Sequence, residues 1–473
     1  MENIPTTPTK RVRKANEMYS PSPDKPKKIS HPKPPQKAQK NLKPLAQTPR
    51  RNAPKPHDNQ SFMESLRDTD GHIYPSTEHF IEKFSQGEHL LKNSEIKVKF
   101  WKNGHEFMAG IGKFDGVHLV DTKDGLGMMV PDDLDSFDAV KKYITTTAKL
   151  PVIVSGTRAE ERMTITKLIK AFNTPKQKRS AIYNLLSLEF DSLGQGLRDA
   201  FSVPEFVRRK SMINKLREKL TQLVQEIQKA LEIKEDGDEK EELKTNKSKL
   251  QTQIDTLPKY QMFLLLSMEG SFTDIHVDFS ATSVYYHVVK GRKIFYVAKP
   301  TEENLRIYAA YEKTPLKERE EWIGETMTTE WQRLEIKEGQ TAMIPSGFVH
   351  FVFTPEDSIV IGGNYLVEEY LEQQFELTVV EEECVKINTI QRGHMLEGFW
   401  DVMFSYTLNI LIPELEDGEQ GLLEKGRIMQ KYLKEGQNLQ KKWFNGDEKK
   451  EILKKLGELV LAEPTAKKAR LND

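Results

Sequence analysis

Asp274-Ile275-His276-Val277-Asp278-Phe279, running on to Ser283-Val284-Tyr285-Tyr286-His287-Val288-Val289, Gly291-Arg292-Lys293 and Ile294-Phe295-Tyr296-Val297-Ala298, is the stretch on which the fold turns. β-Branched and aromatic residues fill both apolar runs, and Gly291-Arg292-Lys293 separates them, so the pattern reads as two strands around a turn. A second pair follows, Thr341-Ala342-Met343-Ile344 before Pro345-Ser346-Gly347 and Val349-His350-Phe351-Val352-Phe353, and then Ser358-Ile359-Val360-Ile361-Gly362-Gly363-Asn364-Tyr365. Short strands separated by turn residues predict a jelly roll in an α+β chain.

In an extended segment, residues two apart project from one face, so His276 and Asp278 can hold one metal while Val277 packs the other way. His350, on another strand, completes a 2-His-1-carboxylate set. This is the donor pattern of non-haem Fe(II) oxygenases, which leaves positions open for a 2-oxo acid and dioxygen. H-x-D alone is a weak signal in a chain with 11 histidines; the strands around it give it weight. Lys293 stands beside Ile294 and Phe295, where a buried cation is costly without an anion to pair with. It reads as an anchor for the far carboxylate of the co-substrate, against the alternative of a snorkelling surface lysine.

T-x-x-H-x-D-F over 273–279, T-S-V-x-Y-H-V over 282–288, G-x-K-x-F over 291–295, I-P-x-G-x-x-H over 344–350 and I-G-G-N over 361–364 together resemble the JmjC lysine demethylases. Asp124-Gly125-Leu126-Gly127-Met128 and Tyr183-Asn184-Leu185-Leu186-Ser187-Leu188-Glu189-Phe190 extend the resemblance to the JmjC-domain histone demethylation protein 1 branch, over roughly residues 60 to 390. The resemblance implies a double-stranded β-helix, a cupin-like JmjC barrel with flanking helices. It also implies Fe(II) on His276, Asp278 and His350 as the catalytic centre, with 2-oxoglutarate and O2 as co-substrates. Thr273 and Lys293 would contact the distal carboxylate, and Tyr286 and Asn184 would supply further polar contacts. The implied reaction is N-methyl hydroxylation on the histone H3 tail or nucleosome, with mono- or dimethylated lysine 36 as the leading substrate and release of formaldehyde and succinate. Such a protein is a nuclear regulator of chromatin and transcription. A non-catalytic or impaired JmjC chromatin factor and a JmjC protein hydroxylase are the alternatives.

Strict alternation places Thr273 on the face opposite His276, so its implied role needs a bend or bulge between them. His287 reads as structural, Asn364 as lining the mouth of the site or serving a cap or turn, and Gly362 and Gly363 as permitting close strand approach. Gly125-Leu126-Gly127 is no dinucleotide motif. The chain departs from its relatives in two places. They commonly continue H-x-D-F with G-G, whereas Ser280-Ala281 stands here, and its side chains are expected to narrow the methyl-lysine pocket or to impair turnover. Val152-Ile153-Val154-Ser155-Gly156 replaces an Asp-containing strand, which bears on histone-site selectivity.

The 473 residues, 37% apolar, suffice for one catalytic domain with appendages. Residues 1–57 hold 12 of the 24 prolines and 14 Lys and Arg against 3 Asp and Glu. The segment 1–59 therefore reads as a disordered basic arm, suited to nuclear import, to DNA phosphates without sequence preference, or to mere solvation. An N-terminal mixed part follows over 60–210. It contains a helix around Phe80, a strand over Ile96–Phe100 and a helix over Ser136–Tyr143 capped by Ser136. Ile213, Leu216, Leu220, Leu223 and Ile227 recur at threes and fours, break at Asp236-Gly237-Asp238, and resume at Leu243, Leu250, Ile254 and Leu257. This predicts an inserted helical hairpin over 211–258, either self-packed or open to a helical partner. The JmjC jelly-roll core is expected over 259–370 and a helical region over 371–463, with Leu366–Val380 and Gly421–Tyr432 its clearest segments and Trp400, Phe404 and Tyr406 packing it on the barrel. A disordered tail over 464–473 ends the chain. One cysteine, Cys384, excludes an intramolecular disulfide and a Cys-rich plant-homeodomain finger, and fits a reducing compartment. No secretory signal or membrane span is expected.

Overall fold

The computed structural model describes residues 59–461 except 76, 87–97, 146, 156–158, 191–198, 316–317, 320, 328–330, 388, 390–395 and 437–442. The basic arm up to residue 58 and the C-terminal tail lie outside the described residues. In chain order the strands are β1 (Lys99–Trp101), β2 (His118–Val120), β3 (Leu150–Val154), β4 (Ala159–Met163), β5 (Tyr183–Glu189), β6 (Phe263–Ser267), β7 (Phe272–His276), β8 (Ser283–Ala298), β9 (Gln332–Lys337), β10 (Thr341–Ile344) and β11 (Val349–Tyr365).

β8 and β11 organise the jelly roll. They run antiparallel along their length and change their outer partners midway. The first half of β8 pairs with β10 and the second half of β11, which continues through β6, β5 and β3 to β4. The second half of β8 pairs with β9 and the first half of β11, which in turn pairs with β7. The separate strands expected on either side of Gly291, and again on either side of residues 354–357, are thus each one continuous bent strand. The reason is a close crossing of the two strands. Gly291 has φ +79°, and a Cβ there would lie 2.2 Å from the Asp357 carbonyl oxygen. The chains cross closely at this point, and glycine with the register shifts between Phe353 and Val360 bends the ladder without ending it.

Alternation along the long strands sorts the core. Val284, Tyr286, Val288, Phe295 and Val297 of β8 meet Val352 and Val360 of β11 inside the roll. Ile294, Tyr296, Phe351 and Phe353 face outward, where Phe80 and Phe84 of the Glu78–Ser85 helix cover them.

Helices Met212–Ile233 and Asp238–Thr256 lie side by side. Their near ends bury Leu216, Leu220, Leu250 and Leu257 against Trp400, Phe404 and Tyr406, whereas Ile233 at the far end is 87% exposed. Several helix limits differ from the sequence reading. Only Val140–Tyr143 is helical near Ser136, whose hydroxyl instead accepts from the Ala139 N–H at 3.3 Å in a preceding turn. The helix expected from Leu366 starts at Leu371 and runs to Lys386, because β11 extends to Tyr365 and a 3-10 turn over Glu368–Tyr370 intervenes. The helix expected over Gly421–Tyr432 spans Leu423–Gly436. Among the described residues, no helix is long and apolar enough to cross a membrane.

Candidate active site

β7 ends at His276, and the chain turns at Asp278 into a short 3-10 segment over Phe279–Ala281. His276 pairs directly with His350 near the start of β11. Their ring centroids lie 4.2 Å apart, and His350 Nε2 is 3.7 Å from Asp278 Oδ2. One ligand atom from each of the three residues lies within 4.8 Å of the others. The ring tautomers follow from their partners. His276 Nδ1 lies 2.8 Å from the Asp274 carbonyl oxygen and His350 Nδ1 2.9 Å from that of Phe348. A carbonyl can only accept, so each Nδ1 carries the proton and each Nε2 lone pair is left for a metal. Burial and the neighbouring His276 push His350 down to about 4 despite Asp278, keeping it in the neutral form that ligates. Trp322 Nε1 donates to Asp274 Oδ1 at 2.8 Å, steadying the residue that orients His276.

The bulge required beside Thr273 is present. His276 stands opposite His350 but Thr273 opposite Val352, so two residues, Asp274 and Ile275, stand against one, Phe351. Thr273 Oγ1 accepts from Asn184 Nδ2 at 3.3 Å, and Asn184 Oδ1 accepts from the Ser267 hydroxyl at 2.7 Å. Lys293 is 2% exposed, and its ammonium donates to Thr354 Oγ1 at 2.8 Å. Among the described residues it has no carboxylate partner, and burial pushes it down to about 7. Phe295, on the Lys293 face of β8, stacks against His350 at 5.6 Å and meets Tyr286 edge-on at 4.8 Å. Tyr286 is buried. The structure thus brings Asn184 to Thr273 and Lys293 to the strand that carries His350. A buried ammonium with a single neutral partner fits a carboxylate-bearing co-substrate, and two imidazoles with a carboxylate fit a ferrous ion.

The Asp278 turn has a conformation that the sequence does not announce. Ser280 (φ 50°) and Ala281 (φ 47°) both adopt left-handed backbone, which costs a residue with a Cβ about 1 kcal/mol or more. Asn364 Nδ2 donates to Asp278 Oδ1 at 3.1 Å and to Thr282 Oγ1 at 3.0 Å, tying the two ends together. The Ser346 hydroxyl donates to the Ala281 carbonyl. The Ser280 N–H donates to Glu381 Oε1 at 2.7 Å, and the Ser280 hydroxyl is 3.5 Å from Glu381 Oε2. Burial holds the Glu381 carboxyl well above the usual carboxylate range.

Thr354 and Glu381 escaped the sequence reading, whereas Asn364, read as lining the mouth of the site or as a cap or turn residue, contacts Asp278. Thr354 was within reach of that reading, since it is four residues from His350 on the same strand face. Glu381 had no local signal. His287 is structural: its Nδ1 is 2.9 Å from Thr341 Oγ1, and burial pushes it down to about 4. Gly363 permits close approach, since a Cβ there would lie 2.0 Å from the Gln261 carbonyl oxygen. Val152 and Val154, at the strand that lacks an aspartate, are buried in the core.

Comparison with curated proteins sets this geometry in a family. The chain is 30% identical over 332 residues to lysine-specific demethylase 2A of Xenopus tropicalis, covering 67% of this chain and 26% of that protein. It is 33% identical over 278 residues to JmjC domain-containing histone demethylation protein 1 of Caenorhabditis elegans, covering 58% and 24%. The chain belongs to the JmjC-domain proteins. A protein of the same name from Cryptococcus neoformans is 41% identical over 145 residues, 31% of this chain and 16% of its own, which supports the histone demethylation protein 1 branch. This JmjC chain spans about a quarter of the length of the first two relatives. No family model matches it.

Proposed function

We propose that this JmjC protein is an Fe(II)- and 2-oxoglutarate-dependent histone lysine demethylase acting in the nucleus on mono- and dimethylated histone H3 lysine 36. The observation that carries the reading is the convergence of His276, Asp278 and His350, both histidines with Nδ1 on a backbone carbonyl, in a roll that also buries Lys293 with no carboxylate partner among the described residues. His276, Asp278 and His350 would hold the metal, and Lys293 and Thr273 the distal carboxylate of 2-oxoglutarate, with Tyr286 and Asn184 completing its polar surroundings. When bound, the ferrous ion with 2-oxoglutarate and dioxygen supplies the oxidation: the 2-oxo acid goes to succinate and carbon dioxide, and one oxygen atom goes to the N-methyl carbon.

The side chains orient and enclose. Asp274 and Phe348 carbonyls fix the two imidazoles, Asn364 fixes Asp278, and the Phe295 ring packed on His350 excludes water from that side. The hydroxymethyl amine then breaks its C–N bond, releasing formaldehyde and the demethylated lysine. In this reading residues 259–370 are the catalytic core, supported by 60–210 and the helices over 371–463. The 211–258 hairpin is an insertion available to a helical partner, and the basic arm over 1–59 contacts DNA phosphates without sequence preference.

The test is formaldehyde and succinate release from methylated histone H3 peptides and nucleosomes with Fe(II) and 2-oxoglutarate. Stoichiometric release of both supports demethylation. Succinate with a stable hydroxylated product makes the protein a hydroxylase, and 2-oxoglutarate binding with no turnover makes it a non-catalytic chromatin factor.

A further inference from the structure

Glu381 is a buried carboxyl on the Leu371–Lys386 helix, outside the jelly roll, and the reaction above gives it no part. Both its oxygens face Ser280, two residues from the metal ligand Asp278: Oε1 accepts the Ser280 N–H at 2.7 Å, and Oε2 lies 3.5 Å from the hydroxyl. Ser280 and Ala281 are the positive-φ residues with a Cβ among those described. Left to itself, such a pair relaxes toward negative φ, and the turn that aims Asp278 relaxes with it. Asn364 spans the ends of this turn and Ser346 holds the Ala281 carbonyl. Neither engages the Ser280 amide, which is where the left-handed backbone begins.

We propose that Glu381 is a positioning residue for the metal site: it clamps the left-handed Ser280-Ala281 turn from the C-terminal helical layer and so fixes how Asp278 presents its carboxylate. The inference rests on the reading of His276, Asp278 and His350 as metal ligands. It makes the Leu371–Lys386 helix part of the working site, and it ties the need for Glu381 to the two residues that hold positive φ while carrying a Cβ. Glycine adopts positive φ unaided, so a turn with glycine at both positions holds its shape with less help.

The test uses the full chain, with Co(II) as probe, its affinity measured by calorimetry and its ligand field by visible absorption. Glu381→Ala is expected to weaken Co(II) binding about ten-fold and to alter the spectrum. Glu381→Gln, which keeps an acceptor for the Ser280 N–H, is expected to stay within about three-fold of wild type. The combined Ser280→Gly and Ala281→Gly change is expected to bind Co(II) as wild type does, and to make added Glu381→Ala nearly silent. This rescue is a readout that a purely stabilising role would not move. Should Glu381→Ala fail to fold, the glycine-pair background and the Gln variant carry the comparison. Unchanged affinity and spectrum in folded Glu381→Ala, or an equal loss in the glycine-pair background, overturns the clamp. Absence of Co(II) binding by the wild type, or its persistence at the same site in His276→Ala, overturns the metal-site reading itself and the inference with it.

Discussion

Replacing Lys293 with methionine is expected to move stability and co-substrate affinity in opposite directions. The ammonium is 2% exposed with Thr354 as its hydrogen-bond partner, and burial pushes it from 10.5 down to about 7. At 1.36 kcal/mol per pKa unit, keeping that charge buried costs ~5 kcal/mol. Methionine keeps a flexible apolar stem without the charge, and leaving Thr354 without its donor returns ~1 kcal/mol. Lys293→Met is therefore expected to raise the unfolding free energy of the ligand-free protein by ~4 kcal/mol below about pH 7. The sign with pH follows from proton binding. Between about 7 and 10.5 the unfolded lysine holds a proton that the folded one has lost, so wild-type stability rises with pH there and the advantage of the variant shrinks. If Lys293 binds 2-oxoglutarate as proposed, the same substitution removes a charge-assisted contact to it, ~1.5–3 kcal/mol, or roughly ten- to hundred-fold in affinity. Urea unfolding with and without 2-oxoglutarate measures both. A variant less stable than wild type, or one that binds 2-oxoglutarate equally well, refutes the reasoning.

Asn364→Ala is expected to weaken Fe(II) or Co(II) binding about 10- to 100-fold with the fold intact, because Asp278 Oδ1 loses its amide donor; calorimetric titration with the metal checks it. Glu368 tests the packing of the helices. Burial would raise its carboxyl, but Lys215, Lys425 and Tyr406 outweigh burial and bring it down to about 2. Its contribution, on the order of 3 kcal/mol, is present above about pH 4.5 and lost as pH falls toward 2. Glu368→Gln is expected to lower stability at neutral pH and to flatten that acid limb in denaturant unfolding. If Ser280-Ala281 narrows the methyl-lysine pocket, dimethyl peptides react faster than trimethyl ones, and equal rates in a competition assay reject the narrowing.

The jelly roll and the cluster of His276, Asp278 and His350 were legible because they rest on strand patterns. H-x-D alternation places two donors on one face, and β-branched runs mark the strands. What stayed hidden depends on partners distant in sequence. The bends at Gly291 and beyond Phe353 exist because the two chains cross there, and the Asp357 carbonyl that demands the glycine is 66 residues away. Asn364 reads equally as a turn residue until β11 is seen to carry it to Asp278. Ser280-Ala281 carries no glycine to advertise positive φ, and Glu381, which contacts it, lies 101 residues on. The helix expected from Leu366 begins late because periodicity cannot separate the end of an apolar strand from the start of an amphipathic helix.

The most direct measurement is mass spectrometry of methylated histone H3 and H4 peptides and nucleosomes incubated with Fe(II), 2-oxoglutarate and ascorbate, with His276→Ala as control. The account predicts losses in steps of about 14 Da, one methylene each, at mono- and dimethylated H3 lysine 36 and only with the wild type. No loss on any substrate, from protein shown to bind iron and 2-oxoglutarate, would contradict it.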